Sequence, residues 1–401
     1  MKLSAKFKYE DTMYPRLLKL PFQEKKSFFI FGPRGTGKTT CVTTHAPNAI
    51  YIDLLRTRLQ TILQSDPGRL DSMIPDGCKE WVVIDEVQKV PKLLDEVHRL
   101  IDKKNYKFIL TGSSARTLKR KGVNLLAGRA LIYHIYPLIA LELGNDFNLT
   151  NILQHGSLAA ISQERDPEKY LEAYAGVYLR EEILQEGILR NIGDFARFLE
   201  VASFSQGSQI NMNAIAREVG VSQKTVTGYF NILEDLLLSY RLLPFTKKSK
   251  RLLSLHPKFY YFDVGVYRYL RPTGPLDMPE EIGGITLESF FFQELKAIND
   301  YLQLGYQLYF WRTRTGLEVD FIAYGEKGLI AFEIKHSKVI CSKDLRGLKE
   351  FRKDYPIAKT YLIYGGDHRE YHEDIEVIPF NMALKELPQL LKYKEHINYI
   401  I

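Results

Sequence analysis

The chain has 401 residues, of which 45% are hydrophobic and 26% are charged, and its formal net charge is +7. This length is sufficient for two or three domains that each bury a core. No apolar run reaches the roughly 20 residues of a membrane helix, and no secretory signal pattern is found, so we expect a cytoplasmic protein without a membrane partner. The mild positive charge permits nucleic-acid binding but does not require it.

The first third of the chain is predicted to form a helical lead-in followed by a parallel sheet. Residues 1–26 read as helical, with Pro15 and Pro21 as interruptions. Residues 27–140 then alternate short apolar strands with helical stretches, which is typical of βαβ units. The predicted strands lie near residues 27–31, 49–53, 81–85, 107–111 and 131–135, and helices are predicted over 54–72 and 91–101.

A phosphate-binding loop follows the first predicted strand. Residues 32–39 read G-P-R-G-T-G-K-T and match the complete G-x-x-x-x-G-K-T pattern. The glycines let backbone N–H groups face phosphate oxygens, Lys38 reaches the β- and γ-phosphates, and Thr39 places its hydroxyl on Mg²⁺. The pattern predicts ATP and Mg²⁺ as cofactors. The predicted nucleotide-binding residues are Gly32, Pro33, Arg34, Gly35, Thr36, Gly37, Lys38, Thr39 and Thr40.

A second acidic motif supports ATP hydrolysis. The apolar run 81–84 ends in Asp85 and Glu86, which is the Walker B pattern. We expect Asp85 to hold Mg²⁺ through its water shell and Glu86 to polarise the attacking water. The next strand ends at Thr111, which we predict to sense the γ-phosphate. Lys38, Glu86 and Thr111 are therefore the predicted catalytic residues of this domain.

The loop from 116 to 129 is basic, and three interpretations of it are open. In the first interpretation the loop is only solvated, and in the second it supplies an arginine finger to its own or a neighbouring nucleotide. In the third it contacts DNA phosphate. Among its basic residues we favour Arg129 as a γ-phosphate or subunit-interface residue. Residues 138–190 read as helical and occupy the place of a lid on the ATPase.

A helix-turn-helix is predicted in the next unit. Residues 213–220 read as a short helix stopped by glycine, and Ser222 is a good N-cap for a helix from Gln223 to about Leu238. Residues 240–245 and 259–262 are the predicted strands of a wing, whose tip at 247–251 is the densest basic run in the chain.

Two interpretations of this unit are open. It binds DNA, with Lys224, Thr225 and Thr227 facing the groove and the wing tip on phosphate. Alternatively, it is a spacer or a protein-docking module. The second helix carries few basic groups, so we expect contact with the DNA backbone without specific base recognition.

A carboxylate constellation lies near the end of the chain. Asp320 is on one strand of a predicted hairpin, and Glu333 and Lys335 share one face of its partner, which is the PD-(D/E)XK nuclease pattern. We expect Glu288, Asp320 and Glu333 to ligate Mg²⁺ with the Ile334 carbonyl, and Lys335 to orient or deprotonate the attacking water. Glu294 and Glu318 are alternative ligands, with solvent exposure or helix capping as their other role.

Together these motifs resemble prokaryotic AAA+-like P-loop ATPases that carry a winged helix and a C-terminal PD-(D/E)XK, or restriction-endonuclease-like, domain. The resemblance covers about residues 24–365. It rests on the P-loop, on Val82–Glu86 with Gln88, on Leu110–Ser113, on Leu126–Arg129 with Pro137-Leu138, and on Glu318–Phe321 with Glu333–Lys335. It implies a nucleotide-driven homo-oligomer, such as a hexamer, that acts on nucleic acid.

The expected fold class is α/β. It comprises a P-loop NTPase parallel sheet at 1–137, a helical lid at 138–193, a winged helix at 194–265 and a restriction-endonuclease-like domain at 266–401. The leading functional prediction is an ATP-hydrolysing motor that remodels branched or forked DNA, of the helicase or branch-migration type. An ATP-regulated, metal-dependent DNA endonuclease and a nucleotide-dependent assembly switch with a protein partner are the alternatives.

Overall fold

The computed structural model describes residues 14–24, 26–116, 118, 126, 128–179, 191–246, 256–275 and 277–393. Within these ranges, a first sheet of five parallel strands has the order β2-β3-β4-β1-β5. Its strands are β1 (Ser27–Phe31), β2 (Ile50–Asp53), β3 (Trp81–Asp85), β4 (Lys107–Gly112) and β5 (Ala130–His134). The helices between them are α1 (Lys38–His45), α2 (Thr57–Ser65), α3 (Arg69–Met73) and α4 (Leu93–Lys104). The strands agree with the predicted ones, whereas the helix predicted over 54–72 is divided at Pro67.

The first sheet brings three functional strand ends to one edge. The carboxyl ends of parallel strands meet at the same edge, so β1 delivers the phosphate-binding loop beside the ends of its neighbours. β4 lies between β1 and β3, which places Thr111 next to both Asp85 and the loop. Every residue of β1 and β3 is buried, as their continuous apolar sequences require for strands covered on both faces.

The described residues before β1 are not helical. Residues 14–24 contain no helix, so the predicted helical lead-in is wrong there, and residues 1–13 lie outside the described ranges. The segment is held instead by a buried ion pair between Arg16 Nε and Glu142 Oε1, at 3.3 Å. The N–H of Leu17 donates to the same Glu142 oxygen at 2.8 Å. This start of the chain is therefore anchored to residues that follow the first sheet.

The segment predicted as a helical lid is divided between two cores. Its helices are α5 (Ala140–Leu143), α6 (Leu149–His155) and α7 (Pro167–Ala173), with 3₁₀ turns at Gly144–Asp146 and Ile161–Gln163 and a π-helical turn at Tyr174–Tyr178. Leu138 and Ile139 pack in the core that contains Phe290. Leu158 and Leu171 pack in a second core with the helices that follow. The described part of this segment thus has no separate core.

The predicted helix–glycine turn–helix is present. The elements of this region are α8 (Ile192–Ser203), α9 (Met212–Val219), α10 (Gln223–Asp235), β6 (Ser239–Pro244), β7 (Lys258–Tyr261) and α11 (Val264–Leu270). The motif consists of α9 and α10, and α8 precedes it. Gly220 ends α9 with a φ of 83°, which glycine adopts without steric cost. The Ser222 hydroxyl caps α10 by accepting from the N–H of Thr225, at 3.1 Å. β6 and β7 form an antiparallel pair, and the basic tip predicted between them lies outside the described residues.

The last part of the chain forms a mixed sheet flanked by helices. Its elements are α12 (Pro279–Tyr301), β8 (Gln307–Arg312), β9 (Glu318–Gly325), β10 (Gly328–Lys335), α13 (Arg346–Asp354), β11 (Lys359–Tyr364), β12 (Glu370–His372), β13 (Ile375–Pro379) and α14 (Phe380–Leu390). The predicted hairpin of β9 and β10 is antiparallel, with Phe332 opposite Phe321. None of the helices in the described ranges is both long and apolar enough to cross a bilayer.

The second sheet continues into the preceding region. Its strand order is β12-β13-β11-β10-β9-β8-β6-β7, and β6 joins β8 in parallel at Leu243–Tyr309 and Pro244–Phe310. Backbone hydrogen bonds therefore link the hairpin after α10 to the C-terminal strands. The domain boundary predicted between residues 265 and 266 therefore separates β6 and β7 from the other strands of the same sheet.

Candidate functional site

The phosphate-binding loop has the backbone that its sequence requires. Gly35 and Gly37 have φ values of 80° and 85°, and Gly37 immediately precedes α1. A Cβ atom at Gly32 would lie 2.4 Å from the carbonyl oxygen of Ile135, so the glycine permits this close approach. Lys38 is buried, and its Nζ donates to the carbonyl oxygens of Gly32 and Pro33 at 2.7 and 3.1 Å. The ammonium group thus lies inside the loop.

The remaining predicted loop residues take different positions. The buried Thr36 hydroxyl donates to the Pro33 carbonyl at 2.7 Å and braces the loop. Arg34 and Thr40 are exposed, and the carbonyl of Thr40 accepts from Thr43 and Thr44 in the first turns of α1. Thr36 therefore has a structural role within the loop, while Arg34 and Thr40 lie at its exposed rim.

Three hydroxyl groups converge on Asp85. Thr39 Oγ1 donates to Asp85 Oδ2 at 3.1 Å, and the hydroxyls of Thr111 and Tyr51 also donate to this carboxylate. Because Thr39, Asp85 and Thr111 come from three separate elements, this network joins the loop, the Walker strand and the predicted sensor strand. Burial and the neighbouring Asp85 raise the pKa of the Tyr51 hydroxyl above its ordinary value. The sequence reasoning missed Tyr51, and only its position on the strand beside β3 could have suggested it.

Glu86 is held in an unusual backbone conformation beside this network. Its φ is 59°, a left-handed value that is uncommon for a residue with a side chain. The N–H of Glu86 donates to Thr111 Oγ1 at 3.3 Å, and its carboxylate accepts from the side-chain amide of Gln88. Gln88 Nε2 also lies 3.3 Å from Ser113 Oγ. Glu86 is thereby oriented from β4 and from the turn that follows β3.

This group of side chains fits a nucleotide with Mg²⁺. Thr39, Asp85 and Glu86 supply the hydroxyl and carboxylate oxygens that Mg²⁺ prefers, directly or through water. The side-chain oxygen Oε1 of Gln88 is buried there and has no hydrogen-bond partner among the described residues, so the site has an acceptor left for a ligand or water. Thr39, Lys38 and the loop amides would hold the phosphates and the cation.

The segment after α6 contacts the outer side of the loop. The N–H of Ala160 donates to the Gly35 carbonyl at 3.0 Å, and the Tyr174 hydroxyl donates to the Arg34 carbonyl at 3.0 Å. A Cβ atom at Gly35 would lie 2.8 Å from the Tyr170 hydroxyl. Two residues of the loop are thus bonded to a segment whose side chains pack with the helix-turn-helix core.

Arg129 lies at the end of the strands that is opposite to the phosphate-binding loop. The pairing of Ser27 with Ala130 puts Arg129 beside the start of β1, whereas the phosphate-binding loop follows its end. The length of β1 separates the two positions by roughly 17 Å at the usual rise of a strand. Arg129 instead forms an ion pair with Asp102 at the end of α4, with Nε 2.8 Å from Oδ1. The proposed contact with the γ-phosphate of its own subunit is therefore wrong, and a subunit-interface role stays a prediction.

The other described arginine of the basic loop has a different partner. Arg116 follows the predicted sensor strand and forms an ion pair with Asp235, the last residue of α10. Its side chain is 14% exposed, which argues against a fully solvated loop at this position. The lysines and the arginine predicted at 119–121 lie outside the described residues. The pairing could not be predicted from a local pattern, because 118 residues lie between the two positions.

The C-terminal carboxylates surround a lysine that the sequence reasoning missed. Lys258 Nζ lies 3.2 Å from Glu288 Oε1 and 3.6 Å from Asp320 Oδ1, and it contacts Glu318 as well. Its side chain is 2% exposed. The Tyr260 hydroxyl donates to Glu288 Oε1 at 2.6 Å from the same face of β7. Glu288 is thus the carboxylate that the helix α12 contributes to the cluster. Glu318 belongs to the cluster because it also contacts Lys258.

Glu333, Lys335 and Asp320 lie where the hairpin pattern predicted. Lys335 Nζ is 2.6 Å from Glu333 Oε1, and the N–H of Ile334 donates to Asp320 Oδ2 at 2.8 Å. Burial and the nearby Asp320 raise the pKa of the Glu333 carboxyl well above its usual range, against the opposing effect of Lys335. Glu333 Oε2 is buried, and no described residue forms a hydrogen bond with it. Lys335 is therefore engaged with Glu333.

Glu294 belongs elsewhere. It is fully buried and accepts from the N–H of Ala140, the first residue of α5, at 2.7 Å. Capping, which was one of its two predicted alternatives to metal binding, is therefore its role, and solvent exposure is wrong. Among the described residues, no group of three or more Asp, Glu, His or Cys side chains has the arrangement of a metal site.

The glycine loop, the Asp85 network and the parallel sheet together define a P-loop ATPase-like nucleotide-binding domain. In agreement, residues 24–144 match the family model of an AAA domain. Residues 156–277 and 283–383 match two models described as domains of unknown function, DUF8612 and DUF4143. Three family models thus match separate parts of the chain, and the first of them indicates a P-loop ATPase.

Similar proteins span most of the chain. The proteins Mb2031c of Mycobacterium bovis and Rv2008c of Mycobacterium tuberculosis are each 26% identical over 382 residues, covering 90% of this chain and 82% of their own. A protein of Haemophilus influenzae is 24% identical over 75% of this chain and 74% of its own length. All three are described as uncharacterized. A solved structure, protein VC1899 from Vibrio cholerae, has 12% identity, covers 86% of this chain and 96% of its own, and has a TM-score of 0.22, which is too low to support a conclusion about fold.

Proposed function

We propose that this protein hydrolyses ATP and couples hydrolysis to the remodelling of branched or forked DNA. The observation that carries the ATPase part is the convergence of Thr39 and Thr111 on Asp85, beside Glu86. A loop that only binds phosphate needs no second carboxylate held beside Asp85. Here Glu86 is held by Thr111 of β4 and by Gln88 of the turn that follows β3, which supports hydrolysis.

In this proposal each side chain has one task. Lys38 leaves the loop carbonyls to bind the β- and γ-phosphates, and Thr39 and Asp85 hold the cation directly or through water. Bound Mg²⁺ neutralises charge on the phosphate oxygens. Glu86 orients and polarises the attacking water. Thr111, which bonds to both Asp85 and the Glu86 backbone, moves with the state of the γ-phosphate.

Two connections support coupling to the helix-turn-helix. Arg116, just beyond the sensor strand, forms an ion pair with Asp235 at the end of α10. On the other side, Tyr174 bonds to the loop while its ring packs in the core that contains α10. A change in the nucleotide at the phosphate-binding loop can therefore alter the position of α10 through either contact. A change at α10 can equally alter the nucleotide site.

The nucleic-acid part rests on α10 and its flanks. Lys224 is exposed in the first turn of α10, Thr227 is half-buried there, and Arg217 is exposed on α9. The Lys224 and Arg217 side chains suit phosphate contacts. The Thr225 hydroxyl is engaged with Ser222 at 2.8 Å, and the Thr227 hydroxyl donates to the Gln223 carbonyl at 3.0 Å. The net charge of +7 is compatible with a polyanionic partner. We propose a homo-oligomer, such as a ring, as the active form in the cytoplasm.

The proposal is tested by measuring DNA affinity in defined nucleotide states. Fluorescence anisotropy with labelled forked DNA would be recorded with ADP, with a non-hydrolysable ATP analogue and without nucleotide. We expect a several-fold difference in Kd between the ADP and the analogue states, and a weaker dependence on nucleotide in Lys38→Ala. Equal affinity in all three states would contradict coupling. Absence of DNA binding together with nucleotide-dependent assembly would favour the switch with a protein partner.

A further inference from the structure

We propose that Lys258 occupies the cation position of the C-terminal carboxylate cluster, so that this domain works as a metal-free module and does not cleave DNA. The resemblance of the sequence to PD-(D/E)XK nucleases implies Mg²⁺ held by Glu288, Asp320 and Glu333. The residues present do not fit that ion. This inference is independent of the ATPase site, since it concerns another part of the molecule.

The geometry places the ammonium group among the predicted ligands. Lys258 Nζ is within 3.6 Å of oxygens from Glu288 and Asp320 and in contact with Glu318. These are three separate carboxylates, of which Glu288 and Asp320 were predicted to bind metal directly and Glu318 was predicted as an alternative ligand. Mg²⁺ requires near-octahedral oxygen ligands at about 2.1 Å, so it would have to take the same space as the ammonium group.

Charge reinforces the steric argument. The cluster holds the four carboxylates Glu288, Glu318, Asp320 and Glu333 and is already faced by three cations. Lys258 lies at its centre, Lys335 Nζ is 2.6 Å from Glu333, and Arg312 is 2.8 Å from Glu318. A divalent ion added to a buried lysine would meet strong repulsion at low dielectric. The cluster therefore carries its counter-ions within the chain.

The position of Lys258 on β7 is built by the fold. Successive residues of a strand point to opposite faces, so Lys258 and Tyr260 share one face and both contact Glu288. Phe259 and Tyr261 point the other way, into the core around α8 and α10. Lys258 Nζ also lies 5.7 Å from the centre of the Phe310 ring. Lys258 thus ties the hairpin after α10 to the nuclease-like sheet.

One buried oxygen of Glu333 argues for a bound metal ion. Glu333 Oε2 has no hydrogen-bond partner among the described residues, as a metal ligand would in the absence of its ion. A single oxygen does not make a site for Mg²⁺, and the other oxygen of Glu333 is bonded to Lys335. The converging carboxylates point to Lys258 instead.

The experiment measures how many divalent ions bind to the carboxylate cluster. Bound Mn²⁺ would be measured by electron paramagnetic resonance in the full-length, nucleotide-free chain, comparing the wild type with Asp320→Asn, so that any ion at the phosphate-binding loop cancels. We expect no difference between these two proteins. A Mn²⁺ ion present in the wild type and lost in Asp320→Asn would overturn the proposal, as would Mn²⁺-dependent nicking of DNA that Asp320→Asn abolishes.

The converse variant tests the assignment of the lysine. Lys258→Ala removes the internal cation and should gain about one Mn²⁺ ion, which the double variant Lys258→Ala/Asp320→Asn should lose again. Lys338→Ala, at an exposed position outside the cluster, is the matched control and should bind as the wild type does. A folded Lys258→Ala chain, checked by circular dichroism, that gains no ion would overturn the assignment. If that variant does not fold, the comparison of the wild type with Asp320→Asn decides alone.

Discussion

Arg116 and Asp235 form an ion pair between the end of the predicted sensor strand and the last turn of helix α10. Arg116 is two residues beyond Ser114 and three beyond Ser113, which is 3.3 Å from Gln88, the partner of Glu86. Asp235 ends the helix whose first turn carries Lys224. The pair thus connects the segment that follows the predicted sensor strand to the helix-turn-helix.

Breaking this pair should uncouple the two sites. Arg116→Ala and Asp235→Ala should each leave basal ATP hydrolysis within about twofold of the wild type, because neither residue belongs to the phosphate-binding loop or to the network around Asp85. Any stimulation of hydrolysis by forked DNA should fall several-fold in both. The measurement is steady-state phosphate release with and without DNA.

The exchanged double variant Arg116→Asp/Asp235→Arg provides the control for that pair. It should restore part of the stimulation, since the opposite charges meet again in reversed order. Stimulation that is unchanged in both single variants would contradict a coupling role for the pair.

The phosphate-binding lysine should be essential for hydrolysis. Lys38→Ala removes the ammonium group that the loop holds at 2.7 Å from the Gly32 carbonyl, and hydrolysis should fall to background. Lys92→Ala, at an exposed position just before α4, should hydrolyse ATP as the wild type does. Phosphate release at saturating ATP makes the comparison, and full activity in Lys38→Ala would refute the assignment of the site.

Glu86 should act after nucleotide binding. Glu86→Gln keeps the shape of the side chain but cannot polarise water, so the turnover rate should fall by about 10²–10⁴-fold. The affinity for a fluorescent ATP analogue should change by less than about threefold, because Lys38 and Thr39 remain. Equal losses of binding and turnover would show instead that Glu86 has a structural role.

Asp263 should make stability depend on pH. Burial raises the pKa of this carboxyl from 3.8 to about 6, although the N–H groups of Ser157, Val266 and Gly265 oppose the rise. The folded state therefore binds a proton more tightly than the unfolded state between about pH 4 and 6. This contribution to stability is present below that window and is lost as pH rises through about 6.

Asp263→Asn removes this titration. The wild type should gain about 2 kcal/mol relative to Asp263→Asn when the pH falls from 7 to 4.5, as the shifted pKa implies. Urea unfolding of both proteins at the two pH values measures the difference. The same stability difference at both pH values would contradict an elevated pKa.

Local patterns in the sequence predicted much of this molecule. The phosphate-binding loop, Asp85, Glu86 and Thr111 could be found because each lies at the end of an apolar strand, where consecutive residues carry the signal. The hairpin with Asp320 and Glu333 followed from the two-residue period of strands. The helix caps at Gly220 and Ser222 were equally local.

Contacts between distant elements could not be predicted in this way. Lys258 lies 30 positions before Glu288, and the other residues of its strand are aromatic and uncharged. Arg129 is a different case, because it precedes its strand whereas the phosphate-binding loop follows β1. In a parallel sheet these positions fall at opposite edges, so the strand direction already argued against a γ-phosphate contact within the subunit.

The most direct test of the account is the rate of ATP hydrolysis in Mg²⁺ buffer without nucleic acid, with duplex DNA and with forked or four-way DNA. The account predicts Lys38-dependent hydrolysis that rises several-fold on branched DNA and less on duplex. Hydrolysis that requires Lys38 but is identical under all three conditions would contradict the coupling to DNA, and it would leave the helix-turn-helix as a docking module.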